Sequence, residues 1–129
     1  MKLLSFGILL LFAFVILPAQ DKKETHTMSG YLVDKMCGSG MAKKAPDKAM
    51  ASAAKHTRSC ALEEGCAESG YGLMMGGKWT AFDDAGNKEA AAFLKKTKAK
   101  DHLYVAVSGT MDGETIKVSS IKAAKEKMN

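Results

Sequence analysis

Leu103-Tyr104-Val105-Ala106-Val107-Ser108-Gly109-Thr110-Met111-Asp112-Gly113-Glu114-Thr115-Ile116-Lys117-Val118-Ser119-Ser120 carries the clearest fold signal in the chain. Leu103, Val105 and Val107 alternate with Tyr104, Ala106 and Ser108, while Ile116 and Val118 alternate with Thr115, Lys117 and Ser119. Alternation with a period of two marks strands that bury one face. Asp112-Gly113 lies between the two runs and suits a tight turn, so the stretch predicts a closing β-hairpin.

Working back from that hairpin, residues 88–98 predict a helix, with Ala90, Phe93, Leu94 and Thr97 recurring at helical spacing. Asp84 to Asn87 reads as a turn before it. Residues 71–75 and 78–83 flank Gly76-Gly77, a dipeptide that can supply both positive φ angles of a type I′ turn. Residues 27–34 alternate as a first strand, and Cys37-Gly38-Ser39-Gly40 then reads as a loop. Between them, Pro46 suits the first turn of a helix and Asp47 complements its dipole. One helix is expected over about 46–64, stopped by Gly65. The order is strand, helical insertion, hairpin, helix, hairpin. That predicts a mainly β, α+β chain: a five-stranded OB-fold-like small barrel with an insertion between strands 1 and 2 and a helix between strands 3 and 4. A generic α+β sandwich built from the same elements is the alternative.

Before the first strand, Lys2 precedes an apolar run over 3–17, and Pro18-Ala19 then meets Gln20-Asp21-Lys22-Lys23. This reads as a signal peptide over residues 1–19, followed by a disordered polar segment over 20–26. The run is shorter than the ~20 apolar residues of a membrane-spanning helix, so no membrane attachment is expected beyond the leader. An uncleaved anchor is the alternative, since Leu17 is large for its place before the cut. The expected location is exported, periplasmic or secreted. Residues 27–122 form the domain and 123–129 a basic tail. The net charge of +5 is concentrated in Lys95, Lys96, Lys98 and Lys100 and in Lys122, Lys125 and Lys127. No aromatic residues interleave with these lysines as base-stacking platforms would, so they read as solvated faces and no nucleic acid is expected.

The chain holds three cysteines, an odd number, so oxidation alone cannot pair them all. Cys37, His56, Cys60 and Cys66 offer a Cys₃His donor set that suits zinc, or copper as Cu(I). On a continuous helix Ala49, Ala53, His56 and Cys60 share one narrow stripe, which makes His56 and Cys60 neighbours. Cys66, beyond Gly65, would lie outside helical geometry. The competing expectation is structural. A disulfide from Cys37 to Cys60 or to Cys66 would stabilise the insertion by about 3 kcal/mol, and Cys60 with Cys66 is a further pairing. An activated thiolate beside His56 is a third reading, but no Cys-x-x-Cys pair and no hydrolase signature accompany it. His26 and His102 read as surface or strand-end histidines. The eight methionines that follow the leader, Met36 and the pair Met74-Met75 among them, read first as core fillers and second as soft donors.

In Gly30-Tyr31-Leu32-Val33-Asp34 with Cys37, His56-Thr57-Arg58-Ser59-Cys60, Ser69-Gly70-Tyr71-Gly72-Leu73 and Phe82-Asp83 before Gly86-Asn87, the chain resembles a family of small secreted bacterial proteins of unknown function. Val107-Ser108-Gly109-Thr110, Asp112-Gly113 and Ile116-Lys117-Val118-Ser119-Ser120-Ile121 extend the likeness over nearly all of the exported part. It implies an exported β-barrel domain and brings no activity with it. Taken together, the sequence predicts an exported, non-enzymatic small barrel that binds a thiophilic metal, or else a disulfide-stapled interaction module. The partner would be a metal, a small ligand or a protein. The chain is expected to be a monomer, with a disulfide-linked dimer open to it through the odd cysteine.

Overall fold

The computed structural model describes residues 23–127, so the leader read over 1–19 and the last residues of the tail lie outside it. Five strands form one sheet: β1 (His26–Asp34), β2 (Tyr71–Met75), β3 (Lys78–Phe82), β4 (Tyr104–Asp112) and β5 (Thr115–Ala123). They neighbour one another in the order β1-β2-β3-β5-β4, and β1 pairs with β4 to close the ring. Every pairing is antiparallel except the short β3–β5 contact, where Ala81 faces Thr115 and Phe82 faces Ile116. The Gly76-Gly77 turn forms as the sequence predicts, with φ of 53° and 81°. The closing turn lies one residue later than the expected Asp112-Gly113: Asp112 still pairs with Thr115, and Gly113, with φ of 61°, turns the chain together with Glu114.

The interior of the ring is the alternating set already legible in the closing hairpin. Val105, Val107, Ile116 and Val118 meet Leu32, Leu73 and Phe82, and the buried face of α5 (Asp84–Lys96) adds Ala90 and Leu94. A second cluster lies on the other face of β1 and β2. There Tyr31, Val33 and Met74 pack against Ala49 and Ala53 of the insertion. Double coverage explains why β1 is buried continuously from Gly30 to Asp34 instead of alternating.

The insertion differs from the single helix expected over 46–64, and among the described residues there are five α-helices instead of the expected two. They are α1 (Lys35–Lys44), α2 (Ala49–Lys55) after a 3₁₀ turn at Pro46–Lys48, α3 (Arg58–Ala61), α4 (Glu64–Glu68) and α5. The segment expected as the loop Cys37-Gly38-Ser39-Gly40 is therefore helical. Two glycines lower its helix propensity, but a Cβ on Gly38 would stand 2.3 Å from Trp79 Cδ1. Glycine lets α1 lie directly against the indole, whose Nε1 donates to Val33 O at 3.1 Å. Helix α2 ends at His56, which is extended (φ −65°, ψ 130°). Thr57 is extended too and caps α3.

Helix α5 begins four residues before the expected position 88. Asp83 accepts from Gly86 N at 2.9 Å and makes the expected turn its first helical turn. At the C-terminal end, β5 runs into the expected tail through Ala123, and Ala124 N donates to Tyr104 O at 3.0 Å. Tyr31 OH donates to the Glu126 carboxylate. Among the described residues no helix is long and apolar enough to cross a membrane.

Candidate metal centre

Each of the three cysteines lies three residues after the cap of a short helix. Asp34 caps α1, Thr57 caps α3 and Glu63 stands at the cap position of α4. In the first two cases the cap bonds the cysteine itself. Asp34 Oδ2 accepts from Cys37 N at 2.9 Å, and Thr57 Oγ1 accepts from Cys60 N at 3.2 Å. Capping thus fixes where each helix starts and hence where its thiol projects. Neighbouring contacts hold the helix starts in place. Ser69 Oγ accepts from Met36 N at 3.3 Å and donates to Cys66 O at 2.7 Å, linking α4 to α1. Tyr71 OH donates to Ala61 O at 2.8 Å, and Arg58 Nε donates to Leu94 O at 2.7 Å, anchoring α3 to β2 and α5. His102 N donates to Ala54 O at 2.9 Å and anchors α2.

This scaffold brings the sulfurs of Cys37, Cys60 and Cys66 within 4.8 Å of one another. A nitrogen of His56 and an oxygen of Asp34 lie within the same distance of Cys37 Sγ and of each other. Cys37 is thus common to two triads. His56 reaches the cluster by a route the sequence did not indicate. It is not stacked on Cys60 in one helix but turned inward at the break between α2 and α3. Cys66, expected beyond helical geometry, is in the first turn of α4. Asp34, read from sequence only as a strand-end carboxylate, is fully buried and belongs to the site.

Burial and charge define what the cluster can do. Cys66 and His56 are buried, while Cys37 and Cys60 are half-buried. His56 Nε2 stands 3.0 Å from Asp34 Oδ1. That contact lies off the line of a hydrogen bond, and His56 Nδ1, also buried, has no partner among the described residues. A buried imidazole left this way is costly unless something else engages it. At Asp34, burial raises the carboxyl pKa, but the contact with His56 and the Cys37 N–H outweigh it and the net shift is downward. Burial pushes the Cys37 thiol up to about 12, helped by the negative charge of Asp34 and by Cys60. Cys66 is raised as well, by burial first and then by Asp34 and Cys60. Thiols shifted this way are the opposite of activated nucleophiles, which sit in electropositive surroundings that lower the pKa. A cation among them would reverse the balance and draw the protons off.

The other residues singled out in the sequence fall outside the cluster. His26 opens β1 and His102 precedes β4; both are exposed, and His102 Nδ1 lies 2.9 Å from Asp101 Oδ1. The lysines at 95, 96, 98 and 100 are exposed. A surface cavity of about 560 Å³ lined by Thr57, Arg58, Ser59, Leu62 and Lys100 contains none of the thiols. No family model, no curated protein and no solved structure matches the chain.

Proposed function

We propose that this chain is an exported, non-enzymatic metal-binding protein on an OB-like barrel, with Cys37, Cys60, Cys66 and His56 as its ligands. The observation that carries the proposal is the convergence of three sulfurs from three helix starts within 4.8 Å of one another, with a buried imidazole beside one of them. Tetrahedral zinc with Zn–S of about 2.3 Å sets its sulfurs about 3.8 Å apart, so the three thiols need to move by at most about 1 Å to close on an ion, with His56 joining from the side of Cys37. Three thiols and an imidazole suit Zn²⁺ or Cu(I) far better than a hard, oxygen-seeking ion. Asp34 would orient His56 from behind, the usual role of a carboxylate next to a ligating histidine. The ring order of the strands and the helix between β3 and β4 support the OB-like reading. Export rests on the leader pattern of residues 1–19.

The same closeness favours a second reading, a disulfide between any two of the three sulfurs in a metal-free interaction module. The main-chain and side-chain bonds that tie α2 to the segment before β4, α3 to β2 and α5, and α4 to α1 weigh against a need for such a staple. Metal analysis and a thiol count on one natively purified sample separate the two. A stoichiometric ion with three free thiols supports the metal centre, and one free thiol without metal supports the disulfide. His56→Ala should lower metal affinity about tenfold or more; in the disulfide module it would change only stability.

A further inference from the structure

Resting on that metal-binding reading, we infer that the ion carried is Cu(I), and that it is loaded and released through a thioether mouth formed by Met36 and Met41 beside Cys37. The cluster is not sealed. Cys37 is half-buried and forms part of the wall of a surface cavity of about 410 Å³ whose other lining residues include Met36 and Met41.

Met36 is 61% exposed. It therefore fills no gap in a core, the ordinary use of methionine. Two of the described large apolar side chains are exposed, Met36 and Met111, and Met36 is the one next to a site thiol. Its methyl end lies 3.9 Å from where a Cβ on Gly65 would stand, so the side chain reaches from α1 to α4, across the rim between Cys37 and Cys66. Met41, five residues further along α1 and half-buried against the second core cluster, also lines this cavity.

Thioether sulfur is a neutral, soft donor and suits Cu(I), the softer of the two ions. A mouth of two thioethers next to a thiol cluster is thus a graded path for a soft monovalent ion. Cu(I) on an incoming carrier is first shared with Met36 or Met41, each donating a lone pair and losing no proton. As the bond to Cys37 forms, its S–H proton leaves to solvent and the thioether lets go. Cys60 and Cys66 follow in the same way. Copper stays at +1 throughout, so no electron acceptor or donor is needed. Release to a recipient is the same ligand exchange in reverse.

The test is the rate of Cu(I) transfer from its coloured bicinchoninate complex to the full chain, followed by loss of colour. Met36→Leu with Met41→Leu conserves volume and should fold; if the pair does not, Met36→Leu alone serves, at an exposed position. The double variant should bind Cu(I) with wild-type stoichiometry and affinity but take it up more slowly than the wild-type chain. Met111→Leu should leave the rate unchanged. A wild-type rate in the double variant overturns the mouth. Binding of Zn²⁺ without Cu(I) by the wild-type chain overturns the copper assignment and leaves the metal centre standing. Failure to bind either ion overturns the metal centre itself.

Discussion

Asp34 is the residue on which the site turns. One carboxylate oxygen starts α1 by accepting from Cys37 N, and the other faces His56. Removing it takes away a helix cap, which costs about 0.5–2 kcal/mol. Asp34→Ala should therefore lower stability by about 1 kcal/mol, read from the urea midpoint, and an unchanged midpoint would show that the carboxylate does not hold the start of α1. In Tyr31, burial and then the bond to Glu126 move the phenol from 10.0 to about 12. A raised pKa means that the folded state holds the proton more tightly. The stabilisation is complete below pH 10 and is lost as pH rises toward about 12. Burial raises Tyr71 as well, so an absorbance titration should find two late tyrosines, Tyr31 and Tyr71, and Glu126→Ala should bring Tyr31 only part of the way down, because burial is the larger cause.

At the scale of the element, what can be read from the sequence depends on whether local pattern or tertiary contact decides the structure. The hairpins are legible because alternation and glycine turns act locally, as Val105, Val107, Gly76 and Gly77 show. The insertion is not, because Ala49, Ala53, His56 and Cys60 fit one continuous helix stripe equally well. Three of those four are buried, so the stripe identifies the buried face but not the breaks along it. Thr57 capping α3 and His56 turning to Asp34 break the helix, and the second of these depends on a strand far away in sequence. One signal does stand in the sequence: Asp34-x-x-Cys37, Thr57-x-x-Cys60 and Glu63-x-x-Cys66 place each cysteine at one distance from a polar residue. Two of these three are strong capping residues, so the repeat marks helix starts. Gly38→Ala tests whether packing of α1 positions Cys37. The new Cβ would meet Trp79 at 2.3 Å, which should cost about 1–3 kcal/mol and weaken metal binding without touching a ligand. Gly40→Ala has nothing within 4 Å. By helix propensity it should gain up to about 1 kcal/mol, with affinity unchanged. Equal effects from the two would refute the packing argument; thermal melts and metal titrations of both variants decide it.

For the molecule as a whole, the closed sheet supplies a rigid ring, and a broken helical insertion between β1 and β2 carries every proposed ligand. The insertion is fixed to β1, β2, α5 and the segment before β4 by hydrogen bonds that involve no sulfur. Its attachment therefore does not depend on the thiols. What they share is a position, within reach of one ion and of one another. The most direct measurement is the X-ray absorption fine structure of the full chain loaded with one equivalent of Zn²⁺. The expected shell is three sulfurs at about 2.3 Å and one nitrogen at about 2.0–2.1 Å. A shell of oxygen and nitrogen alone, or one with fewer than three sulfurs, would contradict the proposed centre.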